Sequence, residues 1–127
     1  MVDANARRIC ASAQLNERAR GVRFHFGRGP ETRPAFVIRY AGQAQAFINE
    51  CAHLAVELDW QPGDFFDTAR EALVCATHGA RYHPASGACL GGRCNGKGLR
   101  PLAIEERDGW IFIAASAADW VEVDRHD

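Results

Sequence analysis

Residues 50–94 read ECAHLAVELDWQPGDFFDTAREALVCATHGARYHPASGACLGGRC and hold four of the five cysteines of the chain. Two runs stand out, Cys51-Ala52-His53 and Cys75-Ala76-Thr77-His78-Gly79. Each offers one sulfur and one imidazole nitrogen. Such donors suit zinc and iron–sulfur clusters and serve magnesium or calcium poorly. Strand signals are weak over residues 50–98, and a loop-rich segment of that length needs something to order it. A metal centre does so, because its ligation free energy stands in for a missing core.

Outward from this region the chain reads as short strands. Arg8 to Ala13, Val22 to Phe26, Ala35 to Tyr40 and Ala44 to Asn49 precede it. Gly27-Arg28-Gly29-Pro30 marks a loop, and Ala41-Gly42-Gln43 joins the last two strands as a hairpin. Beyond it, Leu99 to Glu106 and Trp110 to Ala114 flank Asp108-Gly109, a strong hairpin signal. Ser116 to Val121 is expected to form one turn, and residues 1–7 to fray. Phe36, Ile38, Phe47, Leu102, Ile104, Trp110 and Phe112 read as core, as does Cys10. His25 alternates within a strand and His83 falls in a turn before Pro84; neither reads as a ligand. The pattern predicts an all-β fold, an antiparallel sandwich or small barrel with a loop-rich region inserted between its strands.

A chain of 127 residues fits one domain and can bury a core without disulfides. The net charge of −1 gives no reason to propose nucleic acid or a membrane surface as partner. No stretch approaches the roughly 20 apolar residues of a membrane span, and the first residues lack the apolar core of a signal peptide. The cytoplasm is the expected compartment, where five cysteines serve as thiols or metal ligands rather than as a disulfide framework.

Two Cys and two His first suggest tetrahedral zinc. Zinc sites of that composition usually pair Cys with Cys and His with His along the sequence. Here each loop mixes the types, as is needed where one iron of a two-iron cluster takes both cysteines and the other both histidines. At this point the chain resembles the Rieske family: C-x-H, a gap, then C-x-x-H-G, an aromatic residue, a Gly turn and a Gly-rich loop. It carries them as Cys51-Ala52-His53-Leu54, Cys75 to Gly79, Tyr82, Ser86-Gly87 and Leu90-Gly91-Gly92. The resemblance covers about residues 8–115 and is nearest to small soluble bacterial members with a Trp-x-Pro run, here Trp60-Gln61-Pro62.

The resemblance implies a [2Fe–2S] cluster held by Cys51, His53, Cys75 and His78, with Leu54, Gly79, Ala80, Tyr82 and Gly92 around it. It implies one domain, its cluster-binding part at about 50–98 and its base at about 8–49 and 99–115. Members from respiratory bc complexes carry an extra cysteine in each loop; Val56 and Thr77 stand at those positions here. Those members also have a serine and a tyrosine that donate hydrogen bonds to the cluster sulfurs. The serine position is Ala80, whereas Tyr82 is kept. Tyr82 either donates to a ligand thiolate or is a core aromatic satisfied elsewhere. A donor fewer places the expected potential toward the lower end of the Rieske range of about −150 to +300 mV.

The segment from Asp59 to Glu71 lengthens the gap between the two loops and is expected to form an extra hairpin, a surface for partners. Cys89 and Cys94 are expected to be two partly buried thiols, and Arg93 to point into solvent. The expected function is one-electron transfer, from a flavoprotein reductase to an oxygenase or another redox enzyme, without further catalysis. The alternatives are a small non-catalytic Rieske subunit of a larger reductase of the nitrite reductase type, a redox sensor using Cys89 and Cys94, and a structural zinc module.

Overall fold

A computed structural model describes residues 4–52 and 56–124. Its strands are β1 (Arg8–Ala11), β2 (Val22–Gly27), β3 (Arg33–Tyr40), β4 (Gln43–Ile48), β5 (Leu73–Val74), β6 (Arg81–Tyr82), β7 (Cys89–Gly91), β8 (Pro101–Leu102), β9 (Ile104–Arg107), β10 (Trp110–Ile113) and β11 (Trp120–Val123). They form three antiparallel sheets: β11-β2-β3-β4-β8, β1-β10-β9, and the small β5-β6-β7. The fold is all-β, with the smallest sheet lying in the chain between β4 and β8.

Two hairpins follow from their turn residues. Ala41 and Gly42 have φ of 53° and 78°, Asp108 and Gly109 of 54° and 80°. Two successive positive φ values match the right-handed twist of the flanking strands. Tyr40 therefore pairs with Gln43, and Arg107 with Trp110. Gln43 begins β4 rather than ending the turn.

β3 decides where the core sits. Ala35, Phe36, Val37 and Ile38 are all buried, so both faces of this strand are covered. Phe36 and Ile38 face one core with Phe47, Phe65, Cys51, Cys75 and Tyr82. Ala35 and Val37 face the other with Phe24, Ile111 and Ile113. The alternation is the two-residue period of a strand. Phe65 stacks on Phe36 with ring centroids 3.9 Å apart, which fastens the inserted region to the sheet.

Several expectations need correction. Residues 99–106 are not one strand: β8 pairs with β4 and β9 with β10, so the chain changes sheets at Ala103. Residues 114–118 do turn, but Trp120–Val123 is a strand along β2. Ala4–Arg7 is a 3-10 turn in which Arg7 Nη1 donates to the Ile113 carbonyl at 2.9 Å. β1 stops at Ala11, and Ser12–Gln14 forms another 3-10 turn. Trp110 is 38% exposed, because the Arg8 guanidinium covers its ring at 4.3 Å instead of the core; Leu102 and Ile104 are half-buried. The Asp59–Glu71 segment turns at Asp67–Ala72 and bridges Phe66 to Leu73. Its two phenylalanines are buried, whereas Trp60 is 80% exposed.

Candidate metal centre

Cys51 follows the end of β4, and Cys75 follows β5. The Cys51 amide donates to the Val56 carbonyl at 2.7 Å, closing the first loop on itself. In the second loop the Gly79 amide donates to the Cys75 carbonyl, and the Cys75 amide to that of Ala80, both at 2.8 Å. Gly79 turns this loop at φ 74°, a conformation that glycine adopts without a Cβ penalty. The loops meet where the Ala76 amide donates to the Leu58 carbonyl at 2.8 Å.

These bonds bring the ligand atoms of Cys51, Cys75 and His78 within 4.8 Å of one another. Both cysteines are buried and His78 is half-buried. Cys75 Sγ lies 3.7 Å from His78 Nδ1. His53 and Leu54 lie outside the described residues. Two cysteine sulfurs and an imidazole, converging from two loops, fit a metal centre, and the donors are of the kind a [2Fe–2S] cluster takes.

Cys51 and Cys75 lie in a buried apolar cluster. Burial pushes the Cys75 thiol above its ordinary value, partly offset by the backbone N–H groups of His78 and Thr77. A metal displaces that proton when it binds. Tyr82 on β6 is fully buried, and its hydroxyl is pushed up to about 12 by burial, so it stays protonated. Tyr82 Oη accepts the Ala52 N–H at 3.0 Å and stands 3.6 Å from Cys51 Sγ. Tyr82 is thus a core aromatic whose hydroxyl stands at a cysteine sulfur. Ala80 is fully buried beneath the second loop and brings no hydroxyl.

Gly92 belongs to the third loop. A Cβ there would stand 2.9 Å from the Gly79 carbonyl oxygen and 3.1 Å from Ala80 Cα, so only glycine lets this loop lie on the second one. Arg93 is exposed. The thiols expected at Cys89 and Cys94 are corrected: the two are disulfide-bonded, with Cα atoms 5.9 Å apart. The fold-back over Gly91-Gly92 brings them into bonding range, which spacing alone did not show. Sequence reasoning also missed the buried pair Asn49 and Asp59 at the mouth of the first loop. A polar residue at the border of a loop leaves no periodic signal. His25 Nδ1 lies 3.0 Å from an Asp124 carboxylate oxygen, and His83 Nδ1 accepts the Ala85 amide; neither belongs to the converging group of donors.

An all-β fold with cysteine and imidazole donors gathered beside a glycine-rich loop defines a metal-binding protein whose donors are of the iron–sulfur kind. The chain belongs to the Rieske [2Fe-2S] domain family, whose model matches residues 5–106, and its cofactor is a [2Fe–2S] cluster. Among solved structures it is similar to the Sphingomonas yanoikuyae B1 ferredoxin, 21% identical over 84% of this chain and 94% of that one, with a TM-score of 0.60. It is similar to a chain in the complex of reduced oxygenase and oxidized ferredoxin in carbazole 1,9a-dioxygenase, 20% identical over 84% and 99%, TM-score 0.63. It is also similar to the cyanobacterial plasma membrane Rieske protein from Synechocystis PCC 6803, 26% identical over 71% and 84%, TM-score 0.52. Comparison with curated proteins found no match. No helix among the described residues is long and apolar enough to cross a membrane.

Proposed function

We propose that Cys51, His53, Cys75 and His78 hold the cluster and that the protein passes single electrons from a flavoprotein reductase to an oxygenase or another redox enzyme. The observation that carries this reading is the convergence of the Cys51, Cys75 and His78 donors within 4.8 Å at the contact of two loops. The division into a cluster-binding part at about 50–98 and a base from the flanking strands belongs to the same proposal. That ferredoxin and oxygenase stand in one complex in a structural relative supports an oxygenase as acceptor.

When bound, the cluster supplies a centre that gains and loses one electron. The rest is the work of the chain. Cys51 and Cys75, buried in an apolar core, exclude water from their sulfurs. Tyr82 Oη is placed to donate to Cys51 Sγ once that sulfur is a thiolate. Half-buried His78 gives the site an edge toward solvent, where a partner approaches. Coulometric titration tests the carrier function. One electron per chain is expected; uptake of two electrons, or none, overturns it.

A second reading, a redox sensor, is favoured by one observation: the Cys89–Cys94 disulfide closes the loop whose Gly92 lies on Gly79 and Ala80. Treatment with a dithiol, with thiol counting before and after, converts the disulfide to two thiols. A sensor shows a changed cluster potential after that step. An unchanged potential removes the sensor reading and leaves the carrier.

A further inference from the structure

Asn49 and Asp59 are the buried polar side chains among the described residues, 1% and 8% exposed. Asn49 follows β4 and precedes Cys51 by two residues. Asp59 follows Leu58, where the first loop ends. Asn49 Oδ1 accepts the Leu58 N–H at 2.9 Å, and its Nδ2 donates to Asp59 Oδ1 at 3.2 Å. The other Asp59 oxygen accepts the Gly63 N–H at 2.8 Å and Arg23 Nη1 at 3.3 Å. Arg23, on β2 of the large sheet, also reaches Glu57 at 3.1 Å and Asp124 at 3.2 Å. Beyond the clasp, the Leu58 carbonyl accepts the amide of Ala76, the neighbour of Cys75.

One line of bonds therefore runs from the base sheet through the mouth of the first loop to the second. Burying a carboxylate and an amide costs free energy unless each is paired, whereas apolar side chains at both places would pack without that cost. The polar pair holds what apolar packing does not: direction and span. It fixes how far Asn49 stands from Leu58, hence where Cys51 is presented, and it sets Leu58 against the second loop.

We propose that Asn49 and Asp59 are positioning residues for the cluster, with Arg23 as their counter-charge. This rests on the reading that Cys51, His53, Cys75 and His78 hold a [2Fe–2S] cluster. Neither residue belongs to the converging group of Cys51, Cys75 and His78; both act through the loop they close.

The test is a double-substitution cycle on the cluster-loaded protein. Asn49→Asp keeps an acceptor for the Leu58 amide but sets two carboxylates against each other. Asp59→Asn keeps an acceptor for the Gly63 amide and sets two amides together. The double variant restores one donor and one acceptor with their roles exchanged. Each single variant is expected to lose its cluster to a chelator roughly tenfold faster, the equivalent of one buried hydrogen bond. Each is also expected to change the anisotropy of the EPR signal of the reduced cluster still bound, which a mere loss of fold stability leaves unmoved. The double variant is expected to return both readouts toward the starting protein. Single variants that keep the native loss rate and EPR signal overturn the proposal. So does a double variant no better than the worse single one, including the case in which the single variants do not fold. If the unsubstituted protein itself shows no two-iron signal, it is the cluster reading that fails.

Discussion

The Tyr82 hydroxyl accepts the Ala52 N–H at 3.0 Å and stands 3.6 Å from Cys51 Sγ. With Cys51 a thiolate, only the tyrosine has a proton to give. A hydrogen bond to sulfur stabilises the reduced cluster, which carries more negative charge, over the oxidised one. Tyr82→Phe is expected to keep the cluster and lower its potential by roughly 40 mV, which is about 1 kcal/mol for one electron. Redox titration followed by EPR reads the shift; an unchanged or raised potential contradicts this role.

Gly92 presses on Gly79 and Ala80 with φ at 83°. Gly92→Ala adds a Cβ both to a left-handed backbone and to a contact of 2.9 Å with a carbonyl oxygen. The expected cost is about 1–3 kcal/mol, seen as a lower Tm and earlier bleaching of cluster colour on heating. Gly29 shares the left-handed backbone with φ 54° but has nothing within 4 Å, so Gly29→Ala carries the backbone strain alone and is expected to lower the bleaching temperature less than Gly92→Ala. Equal bleaching in Gly92→Ala and the unsubstituted protein removes the packing role.

Much of this was legible in the chain because it depends on local chemistry. Ala41-Gly42 and Asp108-Gly109 announce their turns, since few residue pairs tolerate two positive φ values. Cys51, Cys75 and His78 announce a metal site because thiol and imidazole recur at fixed short spacing. What was not legible depends on partners distant in sequence. Trp120–Val123 is an edge strand of four residues, too short to show alternation, and exists because β2 offers it a free edge. Trp110 looks like core until Arg8 is seen over its ring. The bond between Cys89 and Cys94 and the clasp of Asn49 with Asp59 need the fold-back of loops that no periodicity encodes.

The bond between Cys89 and Cys94 closes a loop with a sequence separation of 5. Short loops remove little unfolded-state entropy, so Cys94→Ser is expected to cost roughly 2 kcal/mol. Denaturant unfolding of the variant, and of the reduced parent protein, checks this. Similar losses are expected from both routes; unchanged midpoints contradict a structural bond.

Acid loosens the contact between the two larger sheets. Arg39 Nη2 on β3 meets a Glu106 carboxylate oxygen on β9 at 2.8 Å. That bond holds the Glu106 carboxyl below its ordinary value, against the opposing effect of burial. Its stabilisation is complete above the unfolded value near about 4.3 and is lost as pH falls through the lower, folded one. After solvent screening the contribution is no more than about 1 kcal/mol. Glu106→Gln is expected to lower stability at neutral pH and to flatten its fall below about pH 4. A variant that loses stability in parallel with the parent at every pH contradicts this assignment.

In the proposed function, two loops hold a two-iron cluster through mixed sulfur and nitrogen ligands. Dithionite reduction followed by low-temperature EPR, with iron, sulfide and zinc analysis of the same sample, tests it most directly. A red-brown protein with two irons and two sulfides per chain is expected. Once reduced, it should give a rhombic signal whose average g lies below the free-electron value. A colourless, EPR-silent protein holding one zinc per chain would contradict it, and the same cysteines and histidines would then be a structural clip.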